Sequence, residues 1–179
     1  MKWISYLLVA AAAATGVIAS SIRAFGDADE EAAPIYGVKI PAGYRDWKLI
    51  AVNQLQIPGK GDQLRGQLGN DIAVNAIKEG KLPFPDGSII AAIHWTRVLS
   101  EDNDKALAAK FPGAQSFVVG SPLNVQFMVK DSKKYAATGG WGFADFTNGK
   151  PGDKTLHEAC FTCHIPQKDH DYVFTRYAP

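Results

Sequence analysis

The chain has 179 residues, 46% of them hydrophobic and 21% charged, and 19 basic against 18 acidic side chains leave a formal charge of +1. This composition excludes a disordered chain and suits one globular domain. With no basic stripe and no acidic tail, it also excludes the electrostatic footprint of a nucleic-acid binder.

The first segment is unlike the rest. Lys2 is followed by a stretch, Trp3 to Ile22, without a charge, and Leu7 to Ala14 is strongly apolar. Residues 1–19 read as a secretory signal peptide, with Val17-Ile18-Ala19 as a small-residue cleavage site and Ser20 as the new N-terminus. The alternative is an uncleaved anchor reaching to about residue 22, since roughly 20 apolar residues can span a bilayer. Both readings place the remainder outside the cytoplasm, in the periplasm. Residues 20–34 form a linker, marked by the acidic, small-residue run Phe25 to Ala33. The folded domain is expected over residues 35–179.

Trp47 to Leu55 is apolar and rich in strand formers, and predicts a strand. Pro58-Gly59-Lys60-Gly61-Asp62 predicts a loop, and Gln63 to Leu68 a second, weakly signalled strand. Asn70 or Asp71 is placed to cap a helix ending at Glu79 before Gly80, with Ile72, Ala73, Ala76 and Ile77 on its buried face. Pro83 to Gly87 is a turn. Ser88 to Leu99 follows as a long, largely buried strand, then Glu101 to Lys110 as a short polar helix or turn. In Leu123 to Lys130 the residues alternate: Leu123, Val125, Phe127 and Val129 share one face, and Asn124, Gln126, Met128 and Lys130 the other. Gly139-Gly140 turns the chain into a strand over Trp141 to Phe146. Thr155 to His164 predicts a helix.

That last helix carries the most informative motif, Cys160-Phe161-Thr162-Cys163-His164, which spends both cysteines of the chain. C-x-x-C-H is the attachment pattern of a c-type haem. Two thiols three positions apart share one side of a helical turn and can form thioethers to one porphyrin, while His164 is the proximal iron ligand. The competing readings are a zinc site, using His157 and His164 or His170 with the two thiols, and a Cys-x-x-Cys disulfide. The immediate Cys-His step is required by haem and unnecessary for zinc. One covalent haem c is the expected cofactor. His157, seven residues before His164, belongs to the proximal side, away from a distal ligand position. For a sixth ligand, Met128 is the sole thioether outside Met1, and His94 and His170 are the imidazole candidates. Phe84, Trp95, Phe127, Trp141 and Phe143 are candidates for the haem pocket, and Arg45 and Arg97 for the propionates.

Strands first and haem helix last is not the order of the common helical cytochromes c, and long amphipathic helices for a four-helix bundle are missing. The chain reads as a β-dominated α+β domain: four or five strands in an antiparallel sheet packed with a few short helices, the haem on a C-terminal one.

Read in order, Pro41-Ala42-Gly43-Tyr44-Arg45-Asp46-Trp47, Phe84-Pro85-Asp86-Gly87, Gly140-Trp141-Gly142-Phe143, the cysteine motif and Asp171-Tyr172-Val173-Phe174-Thr175 together resemble the cytochrome P-460 and cytochrome c′-β family. The resemblance implies a mostly antiparallel, usually dimeric protein with a five-coordinate c-type haem open to small ligands. Some members oxidise hydroxylamine, and c′-β members bind nitric oxide or carbon monoxide. Enzymatic members carry a lysine cross-linked to the haem rim, on the strand after the Pro-Asp-Gly turn. Here that strand has no lysine between Ser88 and Trp95, and Ala91 and Ala92 stand where it is expected; Lys81, before the turn, is a poor substitute. The family's distal acid has no assigned position in this sequence, and Glu158 lies too near the cysteines to be assigned to it. The departure counts against hydroxylamine oxidation and favours a c′-β-like or electron-transfer role; the leading expectation is a protein that binds or redox-converts small ligands such as nitric oxide or other nitrogen oxides. A redox partner protein and a homodimer are the expected associations. The alternatives are a six-coordinate electron carrier and a hydroxylamine-oxidising enzyme.

Overall fold

A computed structural model describes residues 31–59 and 61–178; the expected signal peptide and most of the linker lie outside them. The elements in chain order are β1 (Lys48–Ile57), β2 (Gly61–Gly69), α1 (Asp71–Lys78), β3 (Ile89–Leu99), α2 (Glu101–Leu107), β4 (Phe117–Lys130), β5 (Trp141–Thr147), β6 (Lys150–Pro151) and α3 (Lys154–His164). The six strands form one antiparallel meander in the order β1-β2-β3-β4-β5-β6. A β-dominated α+β fold with its last helix at the C-terminal end is what strand-first patterning requires.

Register separates the two faces. Gln67, Ala92, Gln126 and Asp145 lie in one row across β2 to β5, and Ile90, Met128 and Phe143 in the next row on the same face. The alternate row of Ala91, Phe127 and Ala144 faces the other way, where Phe127 packs edge-on against Tyr44 and Phe146. The polar half of the alternation in β4 therefore faces the side covered by α3.

Asn70 joins three elements. Its Oδ1 accepts from Ala73 N at the start of α1 and from Ile89 N at the start of β3, and its Nδ2 donates to the Gly87 carbonyl. The helix buries Ala73, Val74 and Ala76 and leaves Ile72 44% exposed, so its inner face is rotated by about one residue from the expected one. The cause is close packing on β2: a Cβ at Gly69 would press on Ile50, Val74 and Ala73. β4 begins six residues before the expected Leu123, because Gly120 and Pro122 look like strand breakers. Gly120 instead lies so close to Thr96 and Val98 that no side chain fits. Pro122 pairs with Trp95 where the β3–β4 register shifts, a bulge that tolerates a missing donor. The two-residue β6 has no sequence signal and raises the strand count to six.

Candidate functional site

Helix α3 starts at Asp153, whose Oδ1 accepts from Leu156 N at 2.8 Å. One residue docks it on the sheet: fully buried His157 donates Nδ1–H to the Asp153 carbonyl at 2.8 Å and accepts the Asp145 amide at Nε2, 3.1 Å away. This bonding fixes the neutral tautomer and turns Cys160, Cys163 and His164 toward a cavity of about 420 Å³ between α3 and the sheet, within the range of cofactor and ligand sites. Asn53 and Leu55 of β1, Arg65 and Gln67 of β2, Ile90 and Ala92 of β3, Gln126 and Met128 of β4 and Phe143 of β5 form the opposing wall.

At one end of the cavity the His164 ring lies 4.9 Å from Phe143 and 5.1 Å from Phe174. Its Nδ1 is bonded to the Tyr172 carbonyl at 2.7 Å, which leaves Nε2 for a metal. Burial pushes His164 below the ordinary histidine value, against the smaller opposing pull of that carbonyl, so the ring is held in the neutral, ligating form. The Cys160 thiol is raised to about 11, first by burial, then by the Asp145 carboxylate and Cys163. Three strand spacings from β5, roughly 14 Å, β2 supplies the other end. There Arg65 Nε and Gln67 Oε1 are buried with no protein partner. His94, paired with Arg65 across the strands, has an unpartnered Nε2 as well. Burial first, then the Arg65 charge, lowers its pKa to about 4.

A family model described as cytochrome P460 matches residues 41–175. The chain belongs to the cytochrome P460 family. It is therefore a haem cytochrome. A comparison with curated proteins finds no match. The cavity of this P460-family chain fits the cofactor on its own evidence. Two free thiols and a neutral imidazole lie on one wall, a long apolar-floored span separates them from the far end, and buried polar atoms there lack partners.

The cavity brings together some of the residues singled out from sequence. Cys160, Cys163, His164, Phe143 and Met128 line it, and Phe127 borders it while its ring packs on the far face. Phe84, Trp95 and Trp141 are not among its lining residues. Phe84 packs against the fully buried Trp141 at 5.5 Å, and Trp95 lies beside Gly66 on the opposite face. Arg45 stacks on Tyr44, and Arg97 pairs with Asp62 and covers Phe117. Exposed Glu158 pairs with Lys154, while His170 and Lys81 line a separate small groove. His157 has both ring nitrogens engaged, and among the described residues no cluster of three or more ligating side chains suits a free metal ion. Of the two alanines at the expected lysine position, Ala92 faces the cavity and Ala91 is fully buried on the other side. Sequence reading missed Arg65 and Gln67. Their signal is the alternation of Gln63, Arg65 and Gln67 with Leu64, Gly66 and Leu68, a polar face on a strand that turns out to be covered.

Proposed function

We propose that this chain is an exported cytochrome carrying one haem c on Cys160 and Cys163, with His164 as proximal ligand and an open distal face for small ligands such as nitric oxide or other nitrogen oxides. When bound, the haem supplies the iron centre for ligand binding and one-electron chemistry. The observation that carries the reading is the composition of the cavity wall. Among the described lining residues there is no lysine and no carboxylate. A wall lysine, which hydroxylamine oxidation would call on for its haem link, is missing, and Ala92 stands where it is expected; the Asp145 carboxylate near Cys160 is engaged by the Asn124 and Gln126 amides.

The wall still offers polarity. Arg65 and Gln67 present buried, unpartnered groups, and such groups are costly unless a ligand or water meets them. The Arg65 Nε donor suits a small ligand that accepts a hydrogen bond or carries partial negative charge, and the Gln67 oxygen suits a hydrogen-bond donor. Met128 is a poor sixth ligand. It pairs in register with Phe143, whose ring touches His164, so it belongs to the proximal end of the cavity. A homodimer fits the exposed apolar side chains of Leu49 and Val52 at the sheet edge, 58% and 69% exposed.

Mass spectrometry and a ferrous optical spectrum test this together. The expected result is one covalent haem and a high-spin ferrous spectrum that shifts on adding carbon monoxide or nitric oxide. A sharp low-spin spectrum indifferent to carbon monoxide overturns the open site in favour of an electron carrier. A strongly red-shifted ferrous Soret band with a lysine–haem adduct overturns it in favour of hydroxylamine oxidation.

A further inference from the structure

The carbonyl that holds His164 belongs to an unusual backbone segment. Asp171 and Tyr172 both have positive φ, 52° and 65°, and two successive left-handed non-glycine residues persist only where their surroundings over-determine them. The surroundings do so at Asp171. Its carboxylate lies 2.8 Å from Lys130 Nζ through both oxygens and accepts the Phe84 amide at 2.8 Å. Its carbonyl accepts Trp141 Nε1 at 2.7 Å. Lys130 is itself 5% exposed, donates to the Gly139 carbonyl at 2.9 Å and lies over the Trp141 ring. Tyr172 is held next to it, its ring against Phe161 and so close over Gly139 that no Cβ fits there.

We propose that the buried Lys130–Asp171 pair is a positioning device. It clamps the reversed backbone so that the Tyr172 carbonyl points at His164 Nδ1 and thereby sets the strength of the proximal iron bond. The inference rests on His164 being the iron ligand. A buried ion pair is an inefficient source of stability, since a well-packed apolar pair often does as well. What it supplies here is aim: it pins both the carboxylate and the strand end that the reversed segment must meet. A firmly held acceptor makes the imidazole more basic, which strengthens its bond to the iron and favours the oxidised state.

The test uses the haem-loaded protein with Asp171→Asn and Lys130→Met, read by the iron–histidine stretching band in resonance Raman spectra and by the reduction potential. The expected result is a band at lower frequency and a higher potential at unchanged haem content. Val74→Ala in α1, which loosens the core far from the site, is expected to lower stability and move neither. If the single variants do not fold, the double variant Lys130→Met with Asp171→Leu replaces the pair by apolar side chains and is expected to show the same shifts. Variants that lose thermal stability but keep the wild-type band and potential overturn the positioning role. An unaltered protein without covalent haem or an iron–histidine band overturns the haem assignment beneath it.

Discussion

Replacing His157 by alanine tests how α3 is mounted on the sheet. The side chain is fully buried and bridges the Asp145 amide of β5 to the Asp153 carbonyl at the start of α3. Its removal leaves the Asp145 N–H without a partner, costing ~1–3 kcal/mol, and deletes a second bond worth ~1 kcal/mol. The space left behind adds a further loss, so ~3–4 kcal/mol is expected in all. For a domain of this size each kcal/mol moves the melting temperature by roughly 3–4 °C, giving a fall of about 10–15 °C in thermal unfolding followed by circular dichroism. Hydrogen exchange supplies a local readout, because the Asp145 amide should pass from strongly protected to fast-exchanging while amides of β1 and β2 change less. A melting temperature within about 3 °C of wild type, with the Asp145 amide still protected, would refute the claim that His157 mounts α3.

Met128→Ala should leave the ferrous spectrum and its carbon monoxide response unchanged while costing ~2–4 kcal/mol in denaturant unfolding, as for a core methionine; conversion from a low-spin to a high-spin spectrum would instead identify Met128 as an axial ligand. His94 predicts acid sensitivity. Its pKa is about 4 in the fold against roughly 6.5 unfolded. Between those values the unfolded chain binds more protons, so the contribution is intact above pH 6.5 and is lost as pH falls toward 4, by at most ~3 kcal/mol. Denaturant titrations from pH 7.5 to 4.5 should show a flatter profile for His94→Gln than for wild type, and equal slopes would exclude His94 as the cause.

The strands and helix α3 were legible because alternation and helix signals are local. So was the cap at Asn70, although its bonds to Ile89 and Gly87 were not, since they depend on where β3 begins. Trp95 shows the limit for the pocket, while Trp141 shares the face of Phe143 and is taken up beyond the cavity by Phe84 and the Asp171 carbonyl. Aromatic residues announce burial, but which side of a sheet they bury depends on register, and a shift of one residue reverses the answer. Ala91 and Ala92 are separated by the same parity. Arg65 was passed over because its strand was weakly signalled, and nothing in a side-chain alphabet announces an acceptor such as the Tyr172 carbonyl.

That carbonyl is one of several main-chain partners at the anchor. His164 is held by the Tyr172 carbonyl, His157 by the Asp145 amide and the Asp153 carbonyl, and Trp141 by the Asp171 carbonyl. A peptide group survives almost any substitution at its own position. The opposing wall, by contrast, is written in side chains: Arg65, Gln67, Ala92 and Gln126. Substitutions can therefore change the polarity of the wall one residue at a time without disturbing the mounting of α3. One scaffold can pass through many chemistries while its anchor stays in place.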